Sequence, residues 1–108
     1  SERMDKEISA ADASKLLGKA DAVFVDVREW DELAICSIAG ARHIPMTEIS
    51  ARMSEIPKDG KVVVFCHHGM RSMRVLEFLT ERGFEGIVSM RGGIDAWAVS
   101  VDPEMRRY

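Results

Sequence analysis

Cysteine is scarce. The two cysteines, Cys36 and Cys66, stand in no spacing that makes a disulfide framework, so a reducing, cytoplasmic setting is expected. Proline is nearly as rare, with three in 108 residues, and there is no low-complexity tract or internal repeat that would mark a linker or an array. No apolar run approaches the roughly 20 residues of a membrane span, and no membrane association is expected. Basic charge is not in excess: 15 Lys and Arg against 18 Asp and Glu give −3, which argues against a nucleic-acid partner. Ser1–Glu7 is charged and lacks the apolar core of a signal peptide. Ser1 reads as a processed or added beginning and Met4 as a candidate original start, with residues 1–6 an added or disordered leader.

What remains is ordinary for one globular domain, with 46% hydrophobic and 31% charged residues. The most informative stretch is Val62-Val63-Val64-Phe65-Cys66-His67-His68-Gly69-Met70-Arg71-Ser72. Its β-branched run reads as a buried strand. A loop with cysteine, glycine and arginine follows, then Ser72 as a helix N-cap, and Met73–Arg82 with apolar residues at helical spacing. Strand, tight loop and helix N-terminus together make a cradle of backbone N–H groups suited to an anion, a thiolate included.

The rest reads as a frame. Glu7-Ile8 is a short edge strand. Ser9 caps a helix over Ala10–Leu17, with Asp12 as its capping partner and Gly18 as its end. Ala22–Val25 is a strand from which Asp26-Val27-Arg28-Glu29 emerges. Glu29–Ile35 reads as a short helix with Trp30, Leu33 and Ala34 facing inward. Ala41–Ile44 is a strand ended by Pro45. Thr47 is expected to cap a helix carrying Ile49, Met53 and Ile56 on one face. The helix after the cysteine loop packs through Val75, Leu76 and Leu79. Ile87-Val88 is a last strand, Ile94–Ser100 a helix that buries Trp97, and Asp102–Tyr108 a frayed polar tail.

Short apolar strands alternating with helices predict an α/β fold, with a parallel sheet and helices on both faces. Ligands of such sheets sit at the carboxyl ends of the strands. That puts Asp26–Arg28, Cys66–Arg71 and Arg91–Gly93 on one rim. Cys36 precedes a strand, so it is expected at the opposite end, out of reach of Cys66.

With these residues in view the chain resembles a single-domain rhodanese, a member of the rhodanese-like sulfurtransferase family. The resemblance covers nearly the whole chain, residues 1–108. It is carried by Asp26-Val27-Arg28-Glu29, by Ile38-Ala39-Gly40-Ala41-Arg42-His43-Ile44-Pro45, by the loop Cys66–Ser72, and by Gly92-Gly93-Ile94-Asp95-Ala96-Trp97. Two departures lie away from the loop: Cys36-Ser37 where the family places Gly-His, and Val101 where it favours glycine.

The resemblance implies a five-stranded parallel sheet and transfer of a sulfane sulfur through a Cys66 persulfide. The donor would be thiosulfate or a persulfide, and the acceptor a thiophile or a protein such as thioredoxin or a sulfur carrier. Arg71 would bind the anionic donor, and the backbone of His67, His68, Gly69, Met70 and Arg71 would hold the persulfide. No cofactor is implied.

The residue chemistry agrees with that reading. The thiolate is the nucleophile, a planar guanidinium suits a multi-oxygen anion, and Gly69 lets the loop curl. Met70 would line the pocket mouth. Arg28 would recruit the donor from the rim or pair with a surface carboxylate, and Asp26 would order the loop through backbone N–H groups. His67 and His68 are expected as exposed side chains adding positive charge; adjacent ligands on one tight loop suit tetrahedral zinc poorly, so no metal is expected. Two alternatives remain. One is a protein-persulfide relay or a binding module with little thiosulfate activity. The other is a cysteine-dependent phosphatase or arsenate reductase, whose relatives carry five residues between Cys and Arg where this chain has four.

Overall fold

The computed structural model describes residues 6–108, so the expectations placed on Ser1 and Met4 lie outside the described residues. Five strands among them form one parallel sheet: β1 (Glu7–Ile8), β2 (Ala22–Asp26), β3 (Arg42–His43), β4 (Lys61–Phe65) and β5 (Ile87–Met90). Their order is β1-β5-β4-β2-β3. The described helices are α1 (Ala10–Ser14), α2 (Trp30–Leu33), α3 (Met70–Glu81) and α4 (Gly93–Ser100). None is long and apolar enough to cross a membrane.

The sheet is covered on both faces, because its central strands are apolar at successive positions rather than alternate ones. Val62 and Val64 of β4, with Cys66 beyond them, pack with Val75, Leu76 and Leu79 of α3. Val63 and Phe65 point the other way, into a cluster with Ala10 and Ala13 of α1 and Ile94 and Trp97 of α4. Trp97 is buried there, its ring edge-on to Phe24 at 6.1 Å.

The register fixes where the chemistry can occur. β2 and β4 pair from Ala22–Lys61 through Asp26–Phe65, and Val27 continues the ladder by donating its N–H to the Phe65 carbonyl. Arg28 and Cys66 therefore leave adjacent strands at the same edge, where the β2 exit feeds α2 and the β4 exit feeds α3. A crevice opens at such a divergence.

Several local expectations are corrected. The first helix stops at Ser14, and turns carry the chain to Gly18, whose φ is +85°. Ser9 does cap it, accepting from Asp12 N. The segment after Pro45 is not one helix capped by Thr47. It is two 3-10 turns, Met46–Glu48 and Met53–Glu55, which still bury Ile49 and Ile56. The second turn ends where Arg42 takes the Glu55 carbonyl.

Trp30 is not on an inner face. It is 65% exposed, because the capping box between Glu29 and Glu32 sets α2 with Trp30 outward, its ring edge meeting His43 at 4.4 Å. Ala34 is exposed too. The tail is not frayed. Arg107 binds Asp95 through two hydrogen bonds of 2.8 and 3.1 Å, and Tyr108 docks beside Arg28, Glu32 and His67.

Candidate active site

Cys66 ends a buried strand, and its residue is 1% exposed. The chain then turns back over the sulfur. Gly69 N donates to Sγ at 3.1 Å and Ser72 N at 3.4 Å, while Sγ itself donates to Ser72 Oγ at 3.6 Å. That wrap needs Gly69 at φ +110°, a conformation other residues rarely adopt. It also moves the helix start. The N-cap is Gly69, α3 begins at Met70, and Ser72 is the buried third residue of the first turn. Its hydroxyl bonds the Gly69 carbonyl and Ser89 Oγ. Ser72 is therefore not a cap; as the third helical residue it brings its own N–H to 3.4 Å from the sulfur. Two backbone N–H groups thus point at Sγ from the N-terminal end of α3.

The loop is held from beneath by α4. Ile94 N donates to the Cys66 carbonyl at 2.8 Å and Asp95 N to the His67 carbonyl at 3.1 Å. Because a trans peptide points its C=O and N–H in opposite directions, tying those carbonyls to α4 turns the N–H groups of His67 and His68 away from it. Gly92 and Gly93 make the approach close enough: a Cβ on Gly93 would lie 2.5 Å from the Cys66 oxygen and 2.4 Å from the His67 oxygen.

Arg71 leans over the loop and is bidentate to Glu32, with N–O distances of 2.7 and 2.9 Å. That pair, with Tyr108 Oη donating to Glu32 at 2.8 Å, holds the Glu32 carboxyl down at about 2. Arg71 is pushed up in turn, chiefly by the bond to Glu32. Cys66, His67, His68, Met70, Arg71 and Arg74 line an open cavity of about 340 Å³, with Met70 73% exposed at its mouth.

Arg28 does not reach this cavity. Its side chain is fully buried, and its guanidinium serves both Asp26 oxygens, the Glu32 and Cys36 carbonyls and Tyr108 Oη. A group so completely used cannot recruit an anion from solvent, nor is it a surface ion pair. Asp26 accepts from Arg28 N and from the guanidinium, so it orders its own turn; its bonds run to Arg28 and not to the cysteine loop.

His67 is half-buried. Its ring stacks on Tyr108 at 3.7 Å and 4°, and its Nε2 meets the Tyr108 carbonyl. Burial first, then the neighbouring His68, pulls its pKa below the ordinary imidazole value, which favours the neutral ring. His68 is exposed, its Nε2 3.9 Å from Asp95. Ligand atoms of His67, His68 and Asp95 lie within 4.8 Å of one another. They could share a cation only by giving up the Tyr108 and Arg107 bonds. Arg91 is drawn to Glu7 at 3.6 Å.

Cys36 is not at the opposite end of the sheet. Its carbonyl accepts from Arg28 Nη2 at 2.8 Å, and it lines a narrow crevice with His67 and Tyr108 at the carboxyl edge. It belongs to the cluster on the α1 and α4 face, whereas Cys66 belongs to the α3 face, and both thiols are free.

Glu32, Arg74 and Tyr108 escaped the sequence reading. Glu32 had a signal, because Glu29 and Glu32 stand at capping-box spacing. Arg74 is one helical turn beyond Met70. Tyr108 carries no local pattern at all.

Residues 9–100 match the family described as Rhodanese-like domain. A sulfurtransferase of Allochromatium vinosum is 41% identical over 96 residues, covering 88% of this chain and 90% of that one. The thiosulfate sulfurtransferase GlpE of Coxiella burnetii is 36% identical, covering 87% and 88%. Among solved structures, a rhodanese-related protein of Thermoplasma volcanium superposes with a TM-score of 0.80 at 35% identity, covering 89% of this chain and 93% of that one. The chain belongs to the rhodanese-like family, and it is an enzyme of the sulfurtransferase kind.

Proposed function

We propose that Cys66 carries a sulfane sulfur between a small anionic donor, thiosulfate or a persulfide, and a thiol or other thiophilic acceptor. The observation that carries this reading is the buried Cys66 sulfur facing two backbone donors at one end of an open cavity, with Arg71 at its wall.

In the first half-reaction the Cys66 thiolate attacks the outer sulfur of thiosulfate. The Cys66 S–S bond forms, the donor S–S bond breaks, and sulfite leaves with the electron pair. The product persulfide is itself an anion and inherits the N–H groups that held the thiolate. In the second half-reaction the acceptor attacks the outer sulfur and Cys66 leaves as thiolate. Nothing is oxidised or reduced overall. Free thiols at both cysteines fit a cytoplasmic setting, where thioredoxin or a sulfur-carrier protein could act as acceptor.

The reading is tested by transfer from thiosulfate to cyanide. Cys66→Ser is expected to abolish it with the fold intact by circular dichroism; a variant that still turned over would end the assignment.

Glu32 sets how much of the Arg71 charge a donor meets. Glu32→Gln keeps the shape and removes the charge, so the KM for thiosulfate is expected to fall on the order of fivefold, the worth of one screened unit charge at about 4 Å. The sign of its pH dependence follows from a carboxyl lowered to about 2. The pair is fully formed above the ordinary carboxylate range and is lost only as pH falls from there toward 2. The KM ratio of variant to parent should therefore be the same at pH 6 and pH 9. A rise in KM would mean that Glu32 orients Arg71 rather than offsetting it.

A further inference from the structure

Beside the thiol runs a second depression, distinct from the one that holds it. Met46, Ile49, Ser50, Arg74, Val75 and Phe78 line an apolar groove of about 230 Å³. Arg74 is common to its walls and to the walls of the Cys66 cavity, so the two adjoin at that side chain. Along α3, Met70, Arg74 and Phe78 recur every four residues, and Arg82 follows at the C-cap. That ridge starts at the cavity mouth and runs about 18 Å along the helix axis.

Its charge is one-sided where it meets the sulfur. Arg74 is exposed and makes no ion pair among the described residues. Arg82 lies over the Phe78 ring at 3.5 Å and reaches Glu81 only at 4.0 Å. A chain of net charge −3 thus presents a basic and apolar strip that leads away from its reactive edge.

Cyanide or a small thiol needs only the cavity mouth. A groove that leads away from the sulfur, apolar on its floor and cationic on its rim, fits a larger acceptor. We propose that it docks a protein sulfur acceptor whose cysteine is flanked by an aliphatic side chain and by acidic residues. The aliphatic group enters between Ile49 and Phe78, and a carboxylate meets Arg74. This rests on the Cys66 persulfide reading. The step itself is a transfer: the acceptor thiolate attacks the outer sulfur of Cys66–S–S⁻, the bond to Cys66 breaks, Cys66 leaves as thiolate, and the acceptor carries the persulfide.

The test loads the protein with thiosulfate, removes the excess, and follows loss of the bound sulfur by intact mass. Three acceptors are offered: cyanide, a cysteine peptide with leucine and glutamate neighbours, and the same peptide with alanine and lysine. The leucine–glutamate peptide is expected to discharge Cys66 roughly tenfold faster than the other, about the worth of burying one aliphatic side chain, with an advantage that shrinks in salt. Ser50→Trp, a change at an exposed position that fills the groove, should erase that advantage and leave cyanide discharge unchanged. Arg74→Glu should turn the preference toward the lysine peptide. Equal rates for the two peptides, or cyanide slowed as much as the peptide by Ser50→Trp, would overturn the docking proposal alone. Failure of Cys66 to gain sulfur would overturn the sulfur-transfer reading and this proposal with it.

Discussion

Arg28→Ala is expected to destabilise the protein by about 3–5 kcal/mol, because it leaves the Asp26 carboxylate buried without its partner. Asp26 is 2% exposed and Arg28 fully buried, so water cannot make good the loss. The carbonyls of Glu32 and Cys36 and the Tyr108 hydroxyl lose a donor at the same time. Against a total stability of roughly 5–15 kcal/mol that is a large fraction, and the melting temperature should drop by at least about 12 °C. Arg28→Lys should rescue little, since one ammonium cannot span acceptors that a planar fork meets from several sides. The expectation separates two roles for this residue. An arginine that recruited donor from the rim would lose donor affinity on truncation and melt like the parent. For a buried partner of Asp26, melting is expected to shift strongly, and the KM for thiosulfate, read at a temperature where the variant is folded, to shift little.

Gly93→Ala should cost a comparable amount, on the order of 3 kcal/mol, and should also remove activity. The added methyl would press on two backbone oxygens at 2.4 and 2.5 Å, and backbone cannot step aside as a flexible side chain can. The left-handed φ of +61° adds about 1 kcal/mol. What the clash disturbs is the seat of the cysteine loop, since the same Cys66 and His67 carbonyls accept from Ile94 and Asp95. The split between stability and activity is informative. If α4 positions the loop, kcat/KM falls in the folded fraction as well. Thermal melting by circular dichroism, with activity measured well below the midpoint, distinguishes the two. Full activity at that temperature would mean that the Cys66 loop keeps its shape without support from α4.

The parts of this architecture readable from sequence are those in which one strip of chain decides its own fate. Val62–Phe65 can only be a covered strand. Val75, Leu76 and Leu79 define the inner face of a helix, and Trp97 on a short apolar helix has nowhere to go but the core. Cys66 followed by Gly69 and Arg71 showed where a cradle would form. Other features depend on partners distant in sequence. Ser72 looks like a cap by local preference, yet closing the loop round a sulfur requires the helix to start at Met70.

Trp30 looks like core by hydrophobicity, yet the Glu29–Glu32 box fixes the turn that exposes it. Arg28 looks like a surface cation, although Asp26 lies two residues away and side chains so spaced leave a strand on the same side. Burial at the sheet edge converts that spacing into a closed pair. Tyr108 had no neighbour to give it away: its partners are 80, 76 and 41 residues back along the chain. The charge on Arg71 is visible as a residue type, but its balance is not, because Glu32 approaches from α2, 39 residues back along the chain.

The central claim is that Cys66 holds the travelling sulfur, and the most direct measurement is intact mass before and after incubation with thiosulfate. The account predicts gain of one sulfur atom, reversed by reductant, absent in Cys66→Ser and unaffected in Cys36→Ser. Sulfur gained equally by the Cys66→Ser variant, or no gain by the parent from either thiosulfate or a small-molecule persulfide, would contradict it.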